Sequence, residues 1–94
     1  HYSLGTAKTL LGLARIKYFS SDYHGANKIG IEAITLFKQR QCLWGQALAM
    51  CGKGFLEKKW GNYQEANVAF EEAYNLAKKI HYYEGMIHSL FGLG

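Results

Sequence analysis

Apolar residues recur at intervals of three and four positions along most of the chain, with polar residues between them. In the segment 42–59 they form two adjacent rows: Leu43, Ala47, Met50 and Gly54, and beside these Trp44, Leu48, Cys51 and Phe55. Such intervals place side chains on one face of an α-helix. The segment therefore predicts a helix that is apolar around much of its girth and deeply buried.

A second helix is predicted after the turn 60–62, whose Gly and Asn tolerate the left-handed backbone found at helix ends. Its apolar positions form a single stripe: Ala66, Ala69, Phe70, Ala73, Ala77 and Ile80. Outside this stripe, acidic residues come first and lysines last, an order that suits the helix dipole. The two helices are expected to pack as a pair.

The first part of the chain has the same organisation. Helices are predicted over 3–19 and 23–38, joined by the turn Ser20-Ser21-Asp22, which caps the second helix, and a fifth helix begins near Tyr83. The chain contains no Pro, so no residue lacks the backbone donor that a helix interior needs. The pattern predicts an all-α fold.

The chain also repeats itself with a period of about 40 residues. At this shift the identical pairs include Gly5 with Gly45, Ala7 with Ala47, Gly12 with Gly52, Asn27 with Asn67, Glu32 with Glu72, Leu36 with Leu76, Lys38 with Lys78, Gly45 with Gly85, Gly52 with Gly92 and Gly54 with Gly94. The prediction is one segment, 1–94, with full repeats at 3–40 and 42–81 and the first helix of a third at 83–94. Because the chain starts without Met or a signal-peptide pattern, we expect a fragment of a larger protein.

Each repeat carries small and aromatic residues at corresponding positions: Ala14, Tyr23, Ala26 and Ala33 in the first, and Gly54, Tyr63, Ala66, Phe70 and Ala73 in the second. A small residue in the first helix, a turn ending in Tyr, and two small residues in the second helix resemble the tetratricopeptide family, in its longer form. The first repeat departs from that pattern at Gly30, where the aromatic residue is missing. We expect looser packing there, or Ile29 or Ile31 in its place.

The resemblance implies an α-α superhelix of antiparallel helix pairs whose first helices line a concave groove for a peptide or a partner helix. By similarity to the family, the groove-facing residues are Lys8, Leu11, Arg15, Tyr18, Leu48, Phe55, Lys58, Lys59 and His88. Cationic groups among aromatic faces suit an acidic, partly apolar peptide. The alternative is that the basic residues of this set form a solvated face. The family's carboxylate clamp is not expected, because its Lys and Asn positions hold other residues here.

Composition narrows the chemistry. The net charge of +4 favours acidic partners but falls short of a dedicated nucleic-acid surface. No His or Cys has metal-ligand spacing and no nucleophile has a base at recognisable spacing, so we expect no metal, no cofactor and no catalysis. No apolar run is long enough to cross a bilayer. Cys42 and Cys51 are too far apart on one helix to bridge, which indicates reduced thiols in a cytoplasmic protein.

The sequence thus predicts a protein-protein interaction module within a regulatory or scaffold protein. One alternative is a structural spacer or self-association arm, in which the apolar residues Leu90, Phe91 and Leu93 associate with another copy. A second alternative, an RNA-binding helical repeat, is disfavoured by the modest charge and the acidic second helices.

Overall fold

The computed structural model describes residues 4–93, and within them the regular secondary structure is entirely helical. The helices are α1 (Leu4–Phe19), α2 (Tyr23–Gln39), α3 (Leu43–Lys59), α4 (Tyr63–Lys79) and α5 (Tyr83–Leu93). The all-α prediction is therefore confirmed, with helix boundaries within about a residue of those expected from periodicity. The predicted helix start at residue 3 and the predicted equivalence of Gly54 with Gly94 involve residues outside the described part of the chain.

All four connections between helices have the same backbone geometry. Each contains one residue with positive φ: Ser21 (67°), Gln41 (54°), Gly61 (81°) and His81 (58°). The amide that follows this residue donates to a carbonyl five positions earlier, as from Asn62 to Glu57 at 2.8 Å. This is the Schellman motif, which ends a helix and reverses the chain within a few residues. Each helix therefore runs antiparallel to the one before it.

The five helices of the described segment form two layers. Each helix packs against its neighbours in the chain, and α3 also touches both α1 and α5, whereas α2 and α4 do not touch each other. The first helices of the pairs therefore approach one another on one face, and the second helices spread apart on the other. The resulting slab measures 36 × 31 × 17 Å. Two full antiparallel pairs and the first helix of a third form this α-α superhelix.

Small residues allow the helices to approach closely. The alanines of the predicted second-helix stripes are buried, as are Phe37 and Phe70, the two largest side chains among those with no exposed surface. Of the residues predicted to have a structural role in the repeats, Ala26, Ala33, Gly54, Ala66, Phe70 and Ala73 are buried. Ala14 and Tyr23 are half-buried, and Tyr63 is 62% exposed. Tyr63 thus contributes little to the core, although its turn is formed as predicted.

Candidate partner-binding groove

An apolar groove opens between α1 and α3, with the first half of α2 as its floor and α5 along one side. Its volume is about 320 Å³. Leu11, Ala14 and Tyr18 come from α1, Leu48, Gly52 and Phe55 from α3, and Phe91 from α5. These residues meet because the first helices of the pairs lie side by side on one face of the slab.

Most of the predicted groove residues lie together at this site. Leu11, Arg15, Tyr18, Leu48, Phe55 and His88 all line the groove. They come from α1, α3 and α5, the first helices of the pairs. Their role in binding stays a prediction.

The three predicted lysines do not line the groove. The Lys8 ammonium lies 5.8 Å from the centre of the Trp44 ring, and the Lys59 ammonium lies 6.0 Å from the centre of the Tyr18 ring. Lys58 Nζ donates to the carbonyl of Gly92 at 3.0 Å. Lys8 and Lys58 thus have partners outside the groove lining, whereas the Lys59 ammonium lies beside Tyr18, a residue of the lining.

The floor of the groove was missed by the sequence analysis. It consists of residues of α2, a second helix: Ala26, Asn27, Gly30, Ile31 and Ile34. The departure from the repeat pattern at Gly30 was the signal in the sequence. In the structure, no side chain and no backbone of another element lies within 4 Å of the place where a Cβ would stand on this residue. The packing at Gly30 is therefore loose, as one of the two expectations stated. Ile31 lines the groove but does not fill the space.

The charges around the groove are predominantly positive. Arg15 and Lys53 line it, and no Asp or Glu is among its lining residues. His88 also lines it, but its Nε2 lies 3.8 Å from Glu84 on the same helix, so a carboxylate is close to that edge. The net positive charge of the lining residues consequently comes from Arg15 on α1 and Lys53 on α3.

Cys51 is the one titratable group of the lining whose environment is clearly perturbed. Its Sγ lies 3.3 Å from the hydroxyl of Ser89, which donates to the carbonyl of Gly85 at 2.7 Å. Burial raises the pKa of the Cys51 thiol, and its hydrogen bond with Ser89 opposes this shift only in part. The thiol therefore stays protonated near neutral pH and has little nucleophilic character. Cys42 and Cys51 are both free and buried.

Two further kinds of function, metal binding and membrane insertion, can be checked against the described residues. Residues 4–93 contain no cluster of three or more His, Cys, Asp or Glu that could hold a metal ion. None of the helices in that range is both long and apolar enough to span a membrane. Comparisons of the chain with protein-family models, curated proteins and solved structures find no match.

Proposed function

We propose that this chain is a protein-protein interaction module of the tetratricopeptide type, which binds an acidic, partly apolar peptide or partner helix in the groove. The observation that carries the proposal is the apolar groove with Arg15 and Lys53 among its lining and no carboxylate there. An apolar lining stabilises buried hydrocarbon of a partner, and cations beside it form charge-assisted hydrogen bonds with acidic residues. The same proposal includes a scaffold or regulatory role and a cytoplasmic location. Two free, buried thiols agree with that location.

The architecture supports this kind of binding. An extended segment or a helix can lie along the face where α1, α3 and α5 meet, because these helices present side chains to a common surface. The described backbone is almost entirely helical and its turns are closed by backbone hydrogen bonds, so we expect little ordering when a partner binds.

Selection from a displayed library of random dodecapeptides tests the proposal. Peptides enriched on the native protein are measured by calorimetry against the native protein, Arg15→Glu and Lys79→Glu. Lys79→Glu makes the same charge change at an exposed position of α4, outside the groove lining. We expect enriched peptides to carry Asp or Glu beside apolar residues, and Arg15→Glu to weaken their binding about tenfold.

The charge-matched control decides the interpretation. Equal weakening by Lys79→Glu would show a general effect of net charge, and no weakening by Arg15→Glu would remove the groove as the binding surface. Circular dichroism of each variant verifies that helix content is unchanged.

Self-association is a second candidate, favoured by the exposed apolar side chains of α5: Ile87, Leu90, Phe91 and Leu93. A surface of this kind tends to be covered in a complex. Sedimentation equilibrium over a wide concentration range distinguishes the two functions. A mass that stays monomeric at every concentration argues against self-association, whereas a dimer abolished by Leu90→Asp supports it.

A further inference from the structure

The space between α3 and α5 is filled by one side chain of α4. The Phe70 ring has no exposed surface and packs edge-on against Phe55, with ring centres 4.9 Å apart. A Cβ on Gly54 would lie 2.7 Å from Phe70 Cε1, and one on Gly92 would also collide with the ring. The two glycines thus make room for the phenyl group. We call this region the filled wedge.

The corresponding space between α1 and α3 has no such side chain. The residues one repeat earlier than Gly54, Phe70 and Gly92 are Ala14, Gly30 and Gly52, and all three line the groove. Nothing lies within 4 Å of a Cβ built on Gly30 or on Gly52. We call this region the open wedge.

We infer that the open wedge is the anchor pocket for a single aromatic side chain of an acidic peptide. This inference rests on the proposed function and adds the residue type that the groove recognises. The filled wedge shows that this two-layer packing of helices accepts a phenyl ring between two first helices. In the open wedge the methyl group of Ala14 stands where Gly54 leaves room, so the place for a partner's ring lies toward Gly52.

The size of the open wedge suits an aromatic ring. The groove has a volume of about 320 Å³, and an apolar cavity of about 150 Å³ is sufficient to hold a benzene molecule. A ring entering from a partner would meet Ala26 and Ile34 on the floor and Leu48 at the side. These contacts bury apolar area on both molecules.

The charge of the open wedge selects the rest of the partner. Arg15 stands one repeat before Phe55, the residue whose ring packs on Phe70. A guanidinium at this position can lie against an aromatic face and also bind a carboxylate. Lys53 adds a second cation to the lining, where no Asp or Glu stands. An aromatic residue flanked by acidic ones therefore complements the site.

The test uses three synthetic probes and follows amide signals of the ¹⁵N-labelled native protein by NMR. The first probe is acetyl-Asp-Glu-Phe-Asp-Glu-amide, the second has Ala in place of the central Phe, and the third has Lys in place of all four acidic residues. We expect the first to shift the Gly30 and Gly52 amides in a saturable manner. The other two should bind about tenfold more weakly.

Two variants at one position give an independent measurement. Gly30→Phe should occupy the open wedge with the protein's own ring and weaken the first probe about tenfold. Gly30→Ala, the matched control, gains at least as much helix propensity but leaves most of the space empty, so it should retain binding within about threefold. The comparison of probes on the native protein stands even where a variant folds poorly.

The outcomes separate this inference from the proposed function. Equal binding of the Phe and Ala probes, or full binding by a folded Gly30→Phe, overturns the anchor pocket. If Arg15→Glu still weakens the displayed peptides in that case, the groove remains a peptide-binding site without an aromatic anchor. Failure of the first probe to shift Gly30 or Gly52 at millimolar concentration also overturns the inference.

Discussion

The filled wedge and the open wedge have the same helical framework but opposite surfaces. In the filled wedge, Phe70 seals the contact between α3 and α5 and belongs to the core. In the open wedge, Gly30 leaves the contact between α1 and α3 open, and the surrounding apolar side chains line a groove. At these positions the two contacts thus differ in whether a ring of the second helix lies between the neighbouring first helices.

The comparison also shows that glycines at equivalent positions do different things. Gly92 accommodates the Phe70 ring, whereas Gly52, one repeat earlier, faces free space. Identity between repeats therefore does not imply equal function. The same glycine can thus recur in two repeats although the side chain that needs its space, here Phe70, is present in only one of them.

The largest expected effect comes from emptying the filled wedge. Phe70→Ala removes a wholly buried ring and leaves a cavity, so we expect the free energy of unfolding to fall by about 3–5 kcal/mol. Val68→Ala is the control, because Val68 is exposed on the same helix and should change stability by less than about 0.5 kcal/mol. Urea unfolding followed by circular dichroism measures both. A loss below about 1 kcal/mol for Phe70→Ala would mean that the wedge collapses around the cavity or that Phe70 is not central to it.

An intermediate effect is expected from adding one methyl group to each of two glycines of α3. Gly54→Ala and Gly52→Ala gain the same helix propensity, about 1 kcal/mol. At Gly54 the new Cβ collides with a ring that has no free space around it, an overpacking cost of about 1–3 kcal/mol, whereas at Gly52 it meets nothing. Gly52→Ala should therefore raise the unfolding midpoint, and Gly54→Ala should be less stable than Gly52→Ala by about 1–3 kcal/mol. Equal stability of the two variants would contradict the difference between the wedges.

The smallest effect concerns the turns that lead into the second helices. Asp22 Oδ1 accepts a hydrogen bond from the Gly25 amide at 3.1 Å, whereas Asn62, at the same place in the second repeat, makes no side-chain cap bond. Asp22→Ala should cost about 1 kcal/mol, and Asn62→Ala less than about 0.5 kcal/mol.

A third variant separates the cap from charge. Asp22 also lies 3.5 Å from the ammonium of Lys17, but both side chains are about half exposed, so the ion pair contributes little. Asp22→Asn keeps an N-cap acceptor without the charge and should retain most of the stability. A loss as large as that of Asp22→Ala would assign the effect to the ion pair instead. Thermal unfolding of all three variants, at low and at high salt, provides the measurement.

Much of the architecture could be predicted from the sequence because it depends on local properties. The spacing of apolar residues located each helix, and the 40-residue period showed that the helices form equivalent pairs. The alanine stripes predicted the buried faces of α2 and α4, since residues three and four apart lie on one side of a helix. The turn Ser20-Ser21-Asp22 was predicted to cap the second helix, and in the structure Asp22 is the residue that does so, by accepting from the Gly25 amide.

The candidate site depended instead on contacts between distant parts of the chain. The resemblance to the tetratricopeptide family suggested Leu11, Arg15 and Leu48 for the groove face, but it did not indicate where the long side chains of Lys8, Lys58 and Lys59 lie. Their positions depend on Trp44, the Gly92 carbonyl and Tyr18, each contributed by another helix. The open wedge, too, required the tertiary structure, because a missing side chain creates a groove only if the surrounding helices do not close over it. The sequence by itself determined the helices and their repetition, whereas the spacing of α1 and α3 over Gly30, a sum of non-local packing contacts, determined where the groove lies.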